Sequence, residues 1–230
     1  MKVKLIAYTK DPEKVVTAAI RQCYSAIGAG DLKKKTDKET QKRLIGQIMA
    51  SGHTSTLEHA SFTFAVEGIS RVTEVQLMRH RLASYSVQSG RYVKRGKAKY
   101  VVPEAVKADK AVNKKFNKLL KEIQEFYNQM MEAGIKAEDA RYVQPQSIQT
   151  KVVITMNARA LLHFFELRCS RRAQWEIQRM ANLMLAQAKK VAPVIFEKAG
   201  PTCLNSGICY EGDLSCGLYK ALKGEVRARG

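Results

Sequence analysis

The sequence predicts an α+β fold in which a small antiparallel or mixed sheet packs against several helices, one of them long and amphipathic. Apolar residues alternate with polar ones in a few short stretches, as in strands, and recur every three or four residues in more numerous stretches, as in helices. No internal repeat or shift in composition marks a boundary. We therefore expect one domain over residues 1–200 and a Cys- and Gly-rich extension over residues 201–230.

The N-terminal part is predicted to begin with a strand and two helices. Residues 2–8 alternate as in a strand, and Pro12 suits the first turn of the helix that follows. A lysine-rich stretch from Gly28 to Thr40 is interpreted as a solvated connector. The second helix follows this connector and ends at Gly52, a residue that favours a helix C-terminus.

A second strand and a third helix are predicted next. Residues 62–66 alternate as in a half-buried strand, and Gly68 is expected to break it. Ser70 can cap a helix that runs to Arg81, where cationic residues suit the helix dipole. This helix carries the densest basic cluster of the chain at its C-terminal end.

The most regular pattern predicts a long amphipathic helix between Pro103 and Gly134. Its apolar residues recur at helical spacing among many lysines, and we expect them to form core. The remaining predicted elements are a short helix over 137–142, a strand over 151–155, and helices over 157–168 and 174–192.

Charge is the dominant feature of the composition. Forty Lys and Arg against 21 Asp and Glu give a formal net charge of +19, which favours anionic partners such as nucleic acid, an acidic membrane face or phosphorylated small molecules. A hydrophobic content of 45% excludes general disorder. No apolar run reaches the roughly 18 residues of a membrane span, no signal peptide is recognisable, and five scattered cysteines do not resemble a disulfide framework. We expect a cytoplasmic protein without a membrane partner.

The stretch from Arg79-His80-Arg81 to Arg91-Tyr92 is typical of an anion site. Arginine offers a planar fork of donors, and the intervening Ser-, Gln- and Gly-containing loop can point backbone N–H groups at phosphate oxygens. Neighbouring helical residues point about 100° apart, so the three basic residues cannot address one phosphate from a regular helix. They either contact different ligands or parts of a ligand, or they lie where subunits meet; complementing the helix dipole is the structural alternative.

These residues resemble a known signature. Arg79-His80-Arg81, seven residues and then Ser89 is similar to the Arg-His-Arg-x7-Ser motif of the flavin-dependent thymidylate synthases. The segment from Gly52 to His59 resembles the upstream block of that family, and Ala140-Arg141, Asn157-Ala158-Arg159, Leu167-Arg168 and Ala173-Gln174-Trp175-Glu176 resemble its downstream blocks in order. The resemblance covers about residues 20–200.

The resemblance implies reductive methylation of dUMP to dTMP, with methylenetetrahydrofolate as carbon donor and FAD and NADPH as electron source. The implied FAD contacts are Ser55, Arg79, His80, Arg81, Val87, Asn157, Arg159 and His163. The implied dUMP contacts are Gln76, Arg79, Val87, Gln88, Ser89, Gly90, Arg91, Arg141 and Arg168. His53 is expected on the folate or nicotinamide side. The family usually has Asn at the position of Ser86 and Glu or Gln at that of Val87, so contacts through Val87 and Gln88 are expected to be backbone-mediated or shifted in register.

Helical spacing agrees with this division of roles. Arg159 and His163 share a face, whereas Arg159 and Arg168 lie about 180° apart. Either two ligands bracket the helix or neighbouring subunits each take one face. The family forms homotetramers with sites shared between subunits, and the resemblance implies the same here.

The resemblance also implies that no cysteine acts as a nucleophile. Cys23 and Cys169 have no adjacent base in sequence, and both are interpreted as buried structural thiols. Arg168 is instead expected to polarise the uracil ring, as the catalytic residue. Cys203, Cys209 and Cys216 lack the short spacing of structural zinc sites, so we expect no metal.

Two other functions remain open from the sequence. A basic nucleic-acid-binding domain is suggested by the charge and by lysine-rich segments at 33–43 and 94–121, although aromatics form only 7% of the chain and no stacking surface is evident. Another flavin or nucleotide enzyme on the same scaffold is the second alternative. We favour nucleotides over nucleic acid as partners.

Overall fold

One antiparallel sheet has four strands in the part of the chain that the computed structural model describes, residues 1–205 and 207–222. The strands are β1 (Lys2–Tyr8), β2 (Ser61–Ser70), β3 (Ser84–Val87) and β4 (Gln149–Asn157). Their order across the sheet is β1-β2-β4-β3. Helices accompany this sheet, so the predicted α+β class is confirmed.

The helices occupy most of the predicted positions. They are α1 (Pro12–Gln22), α2 (Ala29–Lys34), α3 (Lys38–Ser51), α4 (Arg71–Leu77), α5 (Glu104–Ala108), α6 (Lys110–Glu132), α7 (Ala137–Ala140), α8 (Ala158–Arg168), α9 (Trp175–Val191), α10 (Thr202–Asn205) and α11 (Leu218–Leu222). Short 3₁₀ helices lie at Thr54–His59, Arg141–Val143 and Gly212–Leu214. No described helix combines the length and hydropathy that a membrane-spanning segment requires.

Contacts between residues divide the described chain into two compact units. Unit 1 comprises Met1–Lys2, Val66–Arg79 and Tyr85–Val153. Unit 2 comprises Val3–Ala65, His80–Ser84 and the described residues from Ile154 onward. The candidate nucleotide residues, except Arg168, fall in unit 1, and most candidate flavin residues fall in unit 2.

Unit 1 is built around α6. Asp109 begins this helix by accepting hydrogen bonds from the backbone N–H groups of Ala111 and Val112, which have no intrahelical partner. Leu120 and Tyr127 are the residues of α6 that are buried, and the Tyr127 hydroxyl accepts from the backbone N–H of Arg95. The helix therefore anchors the loop that follows the Arg79–Tyr92 stretch.

Unit 2 has an aromatic core. The rings of Phe62 and Phe165 pack edge-on against Phe196, with centroids 5.3 and 5.9 Å away, and Phe164 contacts Phe165 at 5.7 Å. All four are fully buried, and each ring contributes roughly 1.5–3 kcal/mol through burial. His80 packs edge-on against Phe164 at 4.9 Å, so this core extends to a predicted site residue.

Two predicted boundaries around the basic cluster are wrong. Gly68 does not break β2, which continues to Ser70. Its φ of +72° is accessible because glycine lacks a Cβ, and a Cβ there would lie 3.4 Å from the backbone nitrogen of Met1. The helix capped by Ser70 ends at Leu77 instead of Arg81. Arg79, His80 and Arg81 therefore follow the helix, which removes the restriction on what they can jointly contact.

Other helices and strands were not predicted from the sequence patterns. Helix α2 lies within the predicted lysine-rich connector, and β3 lies within the predicted loop after Arg81. The predicted long helix is divided at Asp109 into α5 and α6, because Asp109 has extended backbone angles. Its apolar residues were expected to be core, yet Val112, Leu119 and Phe126 are 49, 53 and 52% exposed.

The C-terminal extension, in which no helix was predicted, contains α10 and α11. Asn205 of α10 donates from Nδ2 to Glu166 Oε1 of α8 at 2.7 Å. Position 206 and residues 223–230 of the predicted extension lie outside the described residues.

Candidate active site

Arg168 and His80 form the central pair of the candidate site in unit 2. Helix α8 begins after Asn157, whose side chain accepts from the backbone N–H of Ala160, and it ends at Arg168. Arg168 Nε donates to His80 Nε2 at 2.9 Å. Burial, the Arg168 charge and His163 together lower the pKa of His80 from 6.5 to about 4. His80 is therefore neutral at pH 7 and accepts through Nε2.

This hydrogen bond orients the Arg168 guanidinium. One edge of its planar fork is directed at His80, which leaves the terminal N–H groups to donate elsewhere. Because His80 is itself packed against Phe164 of the aromatic core, the arginine is held by a rigid partner. A fixed cation of this kind can stabilise negative charge that develops on a ligand.

His163 lies beside the same pair. Its ring centroid is 6.3 Å from that of His80, and its Nδ1 is 3.8 Å from Glu166 Oε2. Helical spacing predicted that His163 and Arg159 share one face of α8 and that Arg168 lies on the opposite face. His80 is close to both His163 and Arg168, so the two predicted faces of α8 meet at this histidine.

Arg159 is paired at the start of α8. Its Nη1 lies 2.6 Å from Glu58 Oε1, in the Thr54–His59 3₁₀ helix that packs against α8. Ser55 is on the same 3₁₀ helix and His53 directly precedes it, both with exposed side chains. The structure thus brings the Ser55 segment and the Arg159 segment together, as a shared site requires.

A second cluster forms in unit 1 around Glu138. Its carboxylate Oε2 is 2.6 Å from Arg91 Nε, and its backbone carbonyl accepts from Arg141 Nε at 2.9 Å. Gly90 lies against Arg141, because a Cβ on Gly90 would be 3.3 Å from Arg141 Cδ. The Ser89 hydroxyl accepts from the backbone N–H of Arg91. Four predicted nucleotide residues, Ser89, Gly90, Arg91 and Arg141, are therefore adjacent.

A cavity of about 430 Å³ opens beside this cluster. Gly90 and Arg141 line it together with Arg71 and Arg95, so it is strongly cationic. The backbone N–H of Gly90 donates to no partner within the described residues. A free N–H beside an arginine fork is a suitable arrangement for a phosphate group.

The other predicted residues are not joined to these clusters. Gln76 lies on α4, Arg79 just after it, and neither lines this cavity. Arg81 is exposed. Val87 ends β3, and the backbone N–H of Gln88 donates to the carbonyl of Lys151.

Several acidic partners of the arginines were missed by the sequence analysis. Glu58, Glu138 and Glu166 contact Arg159, Arg91 and His163 respectively. Glu166 could have been found from its position three residues after His163 on one helix face. Nothing in the sequence pairs Glu58 with Arg159, because these residues are 101 positions apart.

The cysteines give one confirmation and one correction. Cys169 is buried, as predicted, and burial raises the pKa of its thiol to about 12. Cys23 is exposed, contrary to prediction, because it follows the last residue of α1. Cys203, Cys209 and Cys216 are half-buried free thiols. In residues 1–205 and 207–222 no group of three or more His, Cys, Asp or Glu side chains is arranged to hold a metal ion.

The fold and these clusters define an α+β protein with arginine-rich clusters and a cationic cavity. Residues 4–194 match the family model described as thymidylate synthase complementing protein. The chain is 48% identical to a flavin-dependent thymidylate synthase of Geobacter sulfurreducens over 225 residues, which covers 97% of each protein. It is 44% identical to the flavin-dependent thymidylate synthase of Clostridium tetani over 239 residues, 97% of this chain and 96% of that protein.

A solved structure is also similar. PolB, a UMP/dUMP methylase from Streptomyces cacaoi bound with 5-Br dUMP, superposes with a TM-score of 0.74 at 29% identity, covering 85% of this chain and 93% of that chain. The chain belongs to the flavin-dependent thymidylate synthase family, as its Arg79-His80-Arg81 signature implied.

Proposed function

We propose that the protein converts dUMP to dTMP by reductive methylation, with methylenetetrahydrofolate as carbon donor and FAD and NADPH as electron source. Family membership supports dUMP methylation as the reaction. The observation that carries the proposal is the Arg168–His80 hydrogen bond, because it fixes a guanidinium beside the candidate flavin residue His163.

The phosphate of dUMP is assigned to the cavity in unit 1. The unpartnered N–H of Gly90 and the side chain of Arg141 supply donors there, and Arg91 follows Gly90 directly and is paired with Glu138. Ser89 holds the turn that presents Gly90, through its bond with the N–H of Arg91. Gln76 and Arg79 complete the proposed nucleotide contacts, with Val87 and Gln88 acting through their backbone.

The residues of unit 2 fit FAD, whose pyrophosphate is anionic and whose ring system accepts hydrogen bonds. Arg159 and His163 are exposed on one face of α8, and the exposed hydroxyl of Ser55 lies on the 3₁₀ helix packed against that face. Asn157, His80, Arg81, Arg79 and Val87 complete the proposed set. When bound, FAD supplies the electron transfer that these side chains lack.

Arg168 is the proposed catalytic residue. Its terminal N–H groups donate to the uracil edge and stabilise negative charge developing at N3 and O4, which makes C5 more nucleophilic. His80 acts as a positioning residue because it holds the guanidinium without competing for its terminal donors. Cys169 adjoins Arg168 but is buried with a raised thiol pKa, which supports a mechanism without an enzyme nucleophile.

Three further assignments belong to this proposal. His53, exposed before the 3₁₀ helix, faces the folate or nicotinamide. The chain forms a homotetramer with shared sites in the cytoplasm. Residues 1–200 form the enzymatic domain and residues 201–230 an extension.

Replacement of Arg168 tests this function. We expect Arg168→Ala to lower the turnover of dUMP about 100-fold or more, the usual loss when a transition-state donor is removed, while FAD stays bound. Chromatographic measurement of dTMP formed from dUMP, methylenetetrahydrofolate and NADPH reports turnover, and the flavin absorption band reports FAD. Arg172→Ala, which removes an exposed arginine just beyond α8, is the matched control and is expected to retain activity.

Two outcomes contradict the proposal. A wild-type preparation that is colourless and cannot be reconstituted with FAD is incompatible with it. Loss of FAD from Arg168→Ala shows that this residue belongs to the flavin contacts instead of the nucleotide contacts.

A further inference from the structure

A second cavity in unit 1, of about 650 Å³, is lined by lysines that the proposed reaction does not use. The cationic residues are Lys2, Lys94, Arg95, Lys97, Lys99 and Lys151. Glu67 is the one acidic residue in its lining. Arg95 is the one residue that it shares with the cavity beside Gly90 and Arg141.

The sheet supplies one side of this cavity. Lys2, Glu67 and Lys151 belong to β1, β2 and β4, which are neighbours in the strand order. All three residues are exposed. The loop after β3 is joined to the same place by the bond from the Gln88 N–H to the Lys151 carbonyl. Strand pairing therefore fixes the spacing of these charges.

Helix α6 fixes the other side, the loop over residues 94–99. Gln124 accepts from the backbone N–H of Ala98 and donates from Nε2 to the carbonyl of Arg95. Tyr127 accepts from the backbone N–H of Arg95. The Arg95 side chain donates to the carbonyl of Gln149 in β4. These bonds hold the loop open with its lysines around one space.

The described cationic side chains in this space outnumber the acidic side chain of Glu67. Within the described residues none of the five lysines is in an ion pair, although surface lysines elsewhere in the chain do form such pairs. Burial and the charge of Arg71 lower the pKa of Arg95. Holding like charges together is unfavourable, and a multivalent anion reverses that penalty.

The lining also favours a particular anion. Lysines act as point charges toward phosphate, and several of them distributed around one cavity match several phosphate charges. None of the described residues lining the cavity is aromatic, so unpaired bases have no stacking surface. The volume lies within the range of small-molecule sites.

We propose that this cavity binds a compact polyphosphate, of the size of a nucleoside triphosphate, at a site separate from the dUMP phosphate site. Of the candidate nucleotide residues, Gln88 alone lines it. None of the five lysines lines the cavity beside Gly90 and Arg141, so they can be replaced without changing the lining of that cavity.

Calorimetric titration with inorganic triphosphate tests this site, using the full chain saturated with dUMP. We expect the double variant Lys97→Glu/Lys99→Glu to bind triphosphate more than about tenfold more weakly, because two phosphate contacts become repulsive. The control, Lys114→Glu/Lys115→Glu, makes the same change of net charge on the exposed surface of α6, and a loss below about twofold is expected.

A variant that leaves the net charge unchanged tests whether triphosphate binding depends on the geometry of the loop over residues 94–99. Gln124→Ala releases the loop while leaving every lysine in place, and weaker triphosphate binding is expected. Unchanged dUMP binding and circular dichroism show that each variant is folded, and they keep the result distinct from failure of the proposed reaction.

Three outcomes overturn the proposal. Equal losses of triphosphate affinity in the two double variants would show that binding depends only on the net charge of the protein. Displacement of triphosphate by dUMP places it in the nucleotide site. Tighter, lysine-dependent binding of a short single-stranded oligonucleotide identifies a nucleic-acid surface instead of a polyphosphate site.

Discussion

His80 shows how one residue can serve the site without contacting substrate. Because Arg168 donates to its Nε2, the proton of the neutral imidazole is on Nδ1. A protonated His80 could not accept this bond and would repel the guanidinium. The lowered pKa of His80 therefore preserves the orientation of Arg168 at neutral pH.

The lowered pKa of His80 predicts a loss of stability in mild acid. Its pKa is 6.5 when unperturbed and about 4 in the fold, so between these values the unfolded chain binds more protons. The free energy of unfolding then falls as the pH drops from 6.5 toward 4. We expect urea midpoints at pH 7 and pH 5 to differ more for the wild type than for His80→Gln, which keeps an acceptor for Arg168.

Equal shifts of the midpoint in both proteins would show that other groups account for the acid response. Retained turnover in His80→Gln at pH 7, with loss in His80→Phe, would support the positioning role. Phenylalanine fills the same space beside Phe164 but cannot accept from Arg168.

The motifs of the sequence named residues that the fold brings together. Ser89, Gly90, Arg91 and Arg141 were named from a resemblance, and the structure places them side by side. Glu138, which joins two of them, carries no motif and acts partly through its backbone carbonyl. Such partners depend on tertiary packing, which no local pattern encodes.

At the scale of elements, local signals identified most helix starts and misjudged several ends. Ser70 caps α4 as predicted, accepting from the N–H of Thr73. The helix stops at Leu77, where Tyr85 donates its hydroxyl to the Leu77 carbonyl. The hydrogen bond at the helix end therefore comes from a residue eight positions later in the chain. The periodicity of apolar residues in the sequence cannot reveal such a bond. The basic cluster follows the end of this helix, and Arg79 lies in a turn.

Helix α6 depends on its cap. Removing the Asp109 side chain leaves the N–H groups of Ala111 and Val112 without a partner, so Asp109→Ala is expected to lower the free energy of unfolding by about 1 kcal/mol. Chemical denaturation measures this change. Asp109→Asn keeps a carbonyl acceptor and should retain most of the stability; an equal loss in both variants would assign the effect to charge instead of capping.

At the scale of the whole molecule, the exposed face of α6 bears on assembly. Val112, Leu119 and Phe126 recur every seven residues, the spacing that aligns side chains along a helix-packing seam. This row was expected to be core within one chain. Its exposure instead agrees with the proposed self-association, in which a second copy covers it.

Light scattering tests the proposed tetramer. Four chains of 25.8 kDa give about 103 kDa, and Leu119→Glu/Phe126→Glu is expected to lower the measured mass because it places charges in the seam. Lys115→Glu changes an exposed position of the same helix and should leave the mass unchanged. A wild-type mass near 26 kDa would contradict the proposal, and an unchanged variant mass would exclude this face.

The basic residues behind the net charge of +19 lie in distinct parts of the structure. The six arginines among the candidate site residues account for a minority, and the lysines over residues 94–99, which the sequence had linked to nucleic-acid binding, line a separate cavity. That distinction required the fold, because the cavity combines residues from three strands and a loop.

Glu138 places a carboxylate on one arginine of the proposed nucleotide site. This carboxylate pairs with Arg91 in the way that an oxygen of a phosphate could, and Glu58 does the same for Arg159. An incoming anion must therefore outcompete an attached carboxylate. A phosphate dianion can do so, whereas chloride or acetate gains little by the exchange. In the proposed sites these internal carboxylates would therefore act as competitors of the bound ligand, and they would favour a dianion over a singly charged anion.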